Sequence, residues 1–393
     1  MTTAADILLR MGLPPLPSQS TDTMMGLIWA RELLQQHIAT TYAVQDPKGI
    51  EELKAIDVGG VKQWLHIRGR DKNNPILLYL HGGPGEPMIG YMDAIQRPWE
   101  DYFTVVHWDQ RQTGKSYYPA DDENNPLTID QFISDTEELI KYLLDYLGKE
   151  KLFILGHSWG SVLGMQMVKH HPEWLYAYIG VGQMVNQMAS EIILCQRITT
   201  YAKQQQKFEL TGKMEALIDS FESEPAIRDK AFAENCAFIR EQLSLLARET
   251  AAHHWSRQDL TKIINLDRLL SPHLTAADLC NTTFGSPQAL IRAPYSNLAN
   301  EFNEINLPDQ LGNAFDVPIF FFSGRHDYQT AVTLSDQWFD EIEAPHKKLI
   351  HFEESSHVIV NEEPGRVLIA LVNQVLPFAL ADKNKASNQL GGV

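Results

Sequence analysis

One heptapeptide limits this chain more than any other: Leu155-Gly156-His157-Ser158-Trp159-Gly160-Ser161. The apolar run Phe153-Ile154-Leu155 leads into it, and Val162-Leu163-Gly164-Met165 continues with helical character. A serine between two glycines at a strand-to-helix junction describes a nucleophile elbow. The turn is tight enough to demand glycine on either side, and it lifts the hydroxyl to the top of a sheet, within reach of a base. Gly-x-Ser-x-Gly alone is a common pattern, so the flanking strand and helix are what give it weight.

The surrounding rhythm supplies the sheet. Glu52 to Val58 and Val61 to Arg68 read as strands joined by Gly59-Gly60, a hairpin signal. Pro75 to Leu80, Phe103 to Trp108, Lys151 to Leu155 and Trp174 to Val181 are further apolar strands, with a helical pattern from Ile129 to Leu147 stopped by Gly148. Strands alternating with helices predict an α/β fold, a mostly parallel sheet with helices on both faces. From about Gln183 to Phe315 polar helical stretches dominate: Ser190 to Glu209, Lys213 to Ser223, Pro225 to Thr250, Gln258 to Leu270 and Pro287 to Leu298. Strands then resume at Val317 to Phe322 and Lys347 to Phe352, with helices at Ala331 to Ile342 and Gly365 to Leu380. The expected organisation is an N-terminal helical extension (1–50), a first part of the core (51–184), an inserted helical cap (185–316), a second part of the core (317–381) and a flexible tail (382–393). Within the extension, Met24, Leu27, Ile28, Leu33, Leu34 and Ile38 recur at helical spacing over Thr21 to Thr41.

Composition narrows the partners. With 33 Lys and Arg against 50 Asp and Glu, the formal charge is -17, which repels nucleic acid and anionic membranes. The three cysteines, Cys195, Cys236 and Cys280, are odd in number and lie in no CxxC, so reduced thiols in a cytoplasmic protein are expected. Residues Met1 to Ser20 lack the basic start and apolar centre of a signal peptide, and no unbroken apolar run long enough for a membrane span is evident. His253-His254 has no spaced partner, so neither metal nor cofactor is expected. The oligomeric state is left open.

A serine hydroxyl needs a base, and the base needs an acid to fix its tautomer. Asp327 follows the strand that ends at Ser323, on the rim where open α/β sheets bind ligands. His357 follows the next strand and is the last strand-end histidine before the terminal helix. The order Ser158, Asp327, His357 fits nucleophile, acid and base; His326 stands upstream of the acid, and Asp316 precedes its strand. Oxyanion donors are expected from the backbone N–H of Trp159 and from the loop after Leu80, where Gly82-Gly83 lets the backbone approach a ligand. Tyr201, Trp255 and Tyr295 are candidate pocket aromatics.

Taken together, His81-Gly-Gly-Pro-Gly85, Asp109-Gln-Arg-Gln-Thr-Gly-Lys-Ser116 and Gly156-His-Ser-Trp-Gly160 resemble the proline iminopeptidase (prolyl aminopeptidase) branch of the α/β-hydrolases. Gly324-Arg-His-Asp327 and Ser355-Ser-His357 match its later blocks, so the resemblance covers about residues 50 to 185 and 315 to 380. It implies the same three catalytic residues, an oxyanion hole from Gly83 and Trp159 with Gly82 beside them, and a small peptide or amide substrate that loses its amino-terminal residue, often proline. The family usually has glycine where this chain has Gln112, and often where it has His157. Members bind the substrate amine with glutamates, one of which can directly follow the acid; here that place holds Tyr328. Glu191, then Glu301 and Glu304, are the candidate anions for that amine. The alternatives are an esterase or amidase with the same machinery, or a catalytically idle ligand receptor. Epoxide hydrolase or dehalogenase chemistry needs a carboxylate nucleophile, and position 158 is serine.

Overall fold

A hairpin opens the sheet. Strands β1 (Ile50–Val58) and β2 (Val61–Gly69) pair antiparallel with Val58 opposite Val61, and Gly59 and Gly60 between them both have positive φ, as a two-residue turn of this hand requires. The computed structural model describes residues 24–117, 127–223, 230–242, 246, 257–281 and 295–381. The tail 382–393, His253-His254, Trp255, the side chains of Cys280 and Tyr295, and parts of the expected helices Pro225 to Thr250 and Pro287 to Leu298 lie outside these residues, as do residues 1–23.

The remaining strands are β3 (Ile76–Leu80), β4 (Thr104–Asp109), β5 (Leu152–His157), β6 (Leu175–Val181), β7 (Ile319–Gly324) and β8 (Lys347–Phe352). All eight form one sheet in the order β1-β2-β4-β3-β5-β6-β7-β8, antiparallel only where β2 meets β1 and β4. The central strands are apolar throughout because both of their faces are covered. Ile76, Leu78 and Leu80 of β3 pack into one buried cluster and Leu77 and Tyr79 into the other; Ile319 and Phe321, against Phe320 and Phe322, divide β7 the same way.

Helix α1 (Met24–Thr41) precedes the sheet; α2 (Ile129–Leu147) and α3 (Trp159–His170) cover it. Thr128 caps α2 by accepting from Gln131 N, and Gly148 closes it in the left-handed conformation. Between β6 and β7 come α4 (Gln187–Gln204), α5 (Phe208–Ser223), α6 (Lys230–Glu241), α7 (Arg257–Leu270), α8 (Ala276–Asn281), α9 (Tyr295–Asn303) and α10 (Leu307–Leu311). This insertion has a small core of its own, built on Leu194, Cys195, Ile198, Met214, Leu217, Phe221 and Ile239. Helix α1 lies on it. Arg31 donates to the carbonyls of Leu269 (2.8 Å) and Leu274 (2.7 Å), placing a cation at the C-terminal end of α7, where the helix dipole favours one.

After β7 come α11 (Val332–Glu341) and α12 (Pro364–Ala370), the latter continuing through a wider turn at Leu371–Val375. Among the described residues, Pro364–Ala381 is the one helix long and apolar enough to cross a membrane. In the sequence this stretch is no unbroken apolar run, because Arg366, Asn373, Gln374 and Pro377 interrupt it. One stripe of this helix, Val367, Leu371, Val375 and Ala379, is packed in the core cluster on one face of the sheet.

Candidate active site

Ser158 sits where β5 turns into α3, with φ 54° and ψ -120°. That strained conformation follows from the fit around it. A Cβ on Gly156 would lie 2.5 Å from the carbonyl oxygen of Gly160, and one on Gly160 would overlap the carbonyl of Leu80. Ser158 N donates to Val181 O at 3.0 Å, and its own carbonyl accepts from Ser161 N (2.8 Å) and Ser161 Oγ (2.6 Å). The elbow is therefore held from β6 and from the first turn of α3.

Asp327 and His357 arrive on the loops after β7 and β8. The two loops are stitched by Arg325 N to Phe352 O (3.1 Å) and His326 N to Ser355 O (3.0 Å). His357 Nδ1 donates to Asp327 Oδ2 at 2.8 Å. The same carboxylate accepts from Gln329 N (2.8 Å), Thr330 N (3.0 Å) and Thr330 Oγ1 (2.8 Å). Burial works against its charge, but the adjacent His357 ring and these donors outweigh burial and hold the carboxyl well below the usual range. The pair lies across the end of β6 because Gly182 leaves room: a Cβ there would come within 3.1 Å of the His357 ring and 3.2 Å of Asp327 Oδ2.

His157 joins the elbow to this pair. Its Nε2 donates to the carbonyl of His357 at 2.9 Å, and the two rings stand 5.0 Å apart. Burial first, and the neighbouring His357 second, push the His157 imidazole down to about 4, so it is neutral at pH 7. Glycine at this position would make no such link.

On the other side of Ser158 runs the loop from His81 to Gly85. A Cβ on Gly82 would crowd Ser158 Cβ at 3.2 Å, and Gly83, with φ 115°, requires glycine. His81 Nδ1 donates to Gly82 O (2.8 Å), and its Nε2 accepts from Gln110 N (3.2 Å). Gln110 then ties the loop to the elbow, donating to His81 O (3.2 Å) and accepting from the Trp159 indole (2.9 Å). Trp159 opens α3, so its backbone N–H has no intrahelical partner and is available to an anion. The rest of the 109–116 motif is structural. Arg111 grips Asp135 through two bonds, at 2.8 and 2.9 Å, and also donates to Gly59 O; Ser116 Oγ donates to Asp109 O at 2.6 Å.

The candidate amine ligands are scattered. Glu191, on α4, is buried; one oxygen accepts from Gln187 Nε2 (2.8 Å) and from Arg240, while Oε2 has no hydrogen-bond partner among the described residues. Arg240 also donates to Gln329 O (3.2 Å), next to the loop that holds Asp327. Glu301 instead accepts from Ile129 N at 2.6 Å and so caps α2, a use of an acid at a helix start that the sequence reading did not assign to it. Glu304 is exposed at the end of the same insertion. Tyr328 packs against the insertion's core, with Arg197 5.7 Å from its ring centre. Tyr201 packs there too. Gly182, Thr330 and Arg240 were not singled out from sequence, and Gln110 and Gly324 stood there only as members of longer motifs. The two glycines carried a legible signal, each ending an apolar strand; a Cβ on Gly324 would lie 2.8 Å from Ser355 O.

An eight-stranded sheet of this order, with a serine elbow after β5 and an Asp–His pair after β7 and β8, is the architecture of an α/β-hydrolase. Residues 75–207 match the α/β hydrolase fold family. The chain is similar to a probable aminopeptidase of Bacillus subtilis (strain 168), 33% identical over 331 residues that span 82% of this chain and 95% of the relative. A proline iminopeptidase of Lactobacillus helveticus (strain DPC 4571) is 29% identical over 121 residues, 30% of this chain and 40% of that protein. The crystal structure of a proline iminopeptidase from Mycobacterium smegmatis superposes with a TM-score of 0.53 at 19% identity, covering 84% of this chain and all of that one. The chain belongs to the proline iminopeptidase branch of the α/β-hydrolases, and it is a hydrolase.

Proposed function

We propose that the chain is a serine aminopeptidase that releases the amino-terminal residue, proline among the candidates, from short peptides or amino-acid amides. The observation that carries this reading is the 2.8 Å bond from His357 Nδ1 to Asp327, set beside the strained elbow of Ser158. With its proton on Nδ1, the neutral ring presents Nε2 as an acceptor for the serine hydroxyl. As Ser158 Oγ bonds to the scissile carbonyl carbon, its proton passes to Nε2 and the carbonyl oxygen becomes an oxyanion facing the N–H groups of Trp159 and Gly83. The ionised Asp327 stabilises the imidazolium. Collapse breaks the C–N bond, the Nε2 proton leaves with the amine, and water releases the acyl group by the same route.

The helical insertion acts as a cap over the strand ends. Glu191, with one buried oxygen unpartnered, is the leading anion for the substrate's ammonium group. A second reading, an esterase or amidase without amine recognition, is favoured by one observation: Arg240 already neutralises Glu191. Rates on a free-amine aminoacyl arylamide and its N-acetylated twin separate the two. The aminopeptidase reading expects the free amine to be preferred, and expects Glu191→Gln to raise KM about 10- to 100-fold for the free amine alone, the loss of one charge-assisted contact. Preference for the acetylated substrate would establish the second reading.

A further inference from the structure

Away from Ser158, three segments bring His66 of β2, Asp93 and His273 together, and nothing in the proposed chemistry uses them. One donor atom from each lies within 4.8 Å of the others. Asp93 follows β3 in the chain, and His273 stands between α7 and α8, so the core supplies two of the groups and the insertion the third. His273 Nε2 donates to Asp93 Oδ2 at 2.6 Å, and His66 Nδ1 faces Asp93 Oδ1 at 3.6 Å. The His66 and His273 rings stand 4.1 Å apart.

The second observation is a set of unmet polar atoms. His66 is 1% exposed, yet neither of its ring nitrogens has a hydrogen-bond partner among the described residues, and the same holds for Asp93 Oδ1. Beside them, His107, opposite His66 in the sheet, leaves Nδ1 unpartnered, and Tyr79 leaves its hydroxyl so. Buried polar groups rarely go unsatisfied, and a run of them in one place marks a missing water or ion. The donor set chooses between these. Two imidazoles and a carboxylate are ligands for zinc-class divalent ions, and a tetrahedral site with bonds of 2.0–2.1 Å sets neighbouring donors about 3.3 Å apart. The 3.6 Å gap between His66 and Asp93 is close to that spacing and too long for a good hydrogen bond.

We infer that His66, Asp93 and His273 form a binding site for one divalent transition-metal ion of the zinc class, which pins the helical insertion to the core sheet. The ion sits under the junction that α1 clasps, since Arg31 and Gln35 bind the carbonyls of Ser271 and Leu274 on either side of His273. Local spacing in the sequence gives no sign of a metal, contrary to what this site implies, because its residues come from three distant places. Their role is structural, and it stands independently of the proposed peptidase chemistry.

The test is calorimetric titration of the chelator-stripped full chain with Zn2+, repeated with Co2+ to record visible absorption. The inference expects one saturable ion per chain, tetrahedral-type Co2+ bands, and a melting temperature that rises with Zn2+. His273→Asn and Asp93→Asn, each checked for folding in chelator, are expected to weaken binding at least about tenfold, the loss that even an outer-shell partner's removal brings. A wild-type chain that takes up no Zn2+ or Co2+ at unit stoichiometry would show that these residues are not a zinc-class site. Binding that survives both substitutions unchanged would assign the ion to other histidines. Either result overturns the inference, and the wild-type titration decides even if a variant fails to fold.

Discussion

Asp327 and Asp109 are both buried carboxylates, and their surroundings drive them in opposite directions. Around Asp327 the His357 ring and the donors of the Thr330 turn overcome burial and hold the carboxyl well below its usual range, so it is charged at neutral pH. Asp327→Asn keeps the shape but removes the charge and the acceptor that fixes the ring, and kcat on an aminoacyl arylamide is expected to fall about 10³- to 10⁴-fold with the fold intact. Circular dichroism alongside the assay checks both halves. Asp109 has an unpartnered Oδ1, and burial, only partly offset by the Lys115 N–H, raises its carboxyl to about 7. A folded value above the unfolded one means that the unfolded chain loses this proton first. The group's contribution is therefore full below the ordinary carboxylate pKa and lost as pH rises through about 7. Asp109→Asn cannot ionise, so urea unfolding is expected to show it gaining about 1–3 kcal/mol on the wild type between about pH 5 and about pH 8. A pH-independent difference would count against a protonated Asp109.

At the level of elements, the strand-to-helix junctions were the most legible. Short continuous apolar runs, paired glycines in the hairpin and Gly148 after α2 act locally, so a linear pattern carries them. The serine elbow and the strand-end positions of Asp327 and His357 are legible for the same reason. The job of Gln110 is not. The Asp109-Gln-Arg motif marks the residue, yet only the fold shows it bridging the Trp159 indole and the His81 carbonyl. Gln110→Ala leaves that buried indole N–H without its acceptor, which is expected to cost about 1–3 kcal/mol in chemical denaturation. It also frees the His81–Gly85 loop from the elbow. A loss of kcat at unchanged KM is therefore expected, and full retention of kcat would separate Gln110 from the oxyanion donors.

Across the whole molecule, the sheet is a frame that carries Ser158, Asp327 and His357 where β5, β7 and β8 end, with His157 bonding the His357 carbonyl across that edge. The insertion was harder to read. Its polar helices have no strand period, and an acid such as Glu301 looks the same in sequence whether it binds a substrate or caps α2. Arg240 was missed because its partner Glu191 lies on another helix. Likewise, the contacts of α1 with the end of α7 join residues far apart in the chain. The central claim, that this frame turns Ser158 into a nucleophile, is tested most directly by labelling the intact protein with a fluorophosphonate and mapping the adduct by mass spectrometry. One adduct per chain is expected on Ser158, abolished in Ser158→Ala and strongly slowed in His357→Ala. No adduct, or one that persists in Ser158→Ala, would contradict the account.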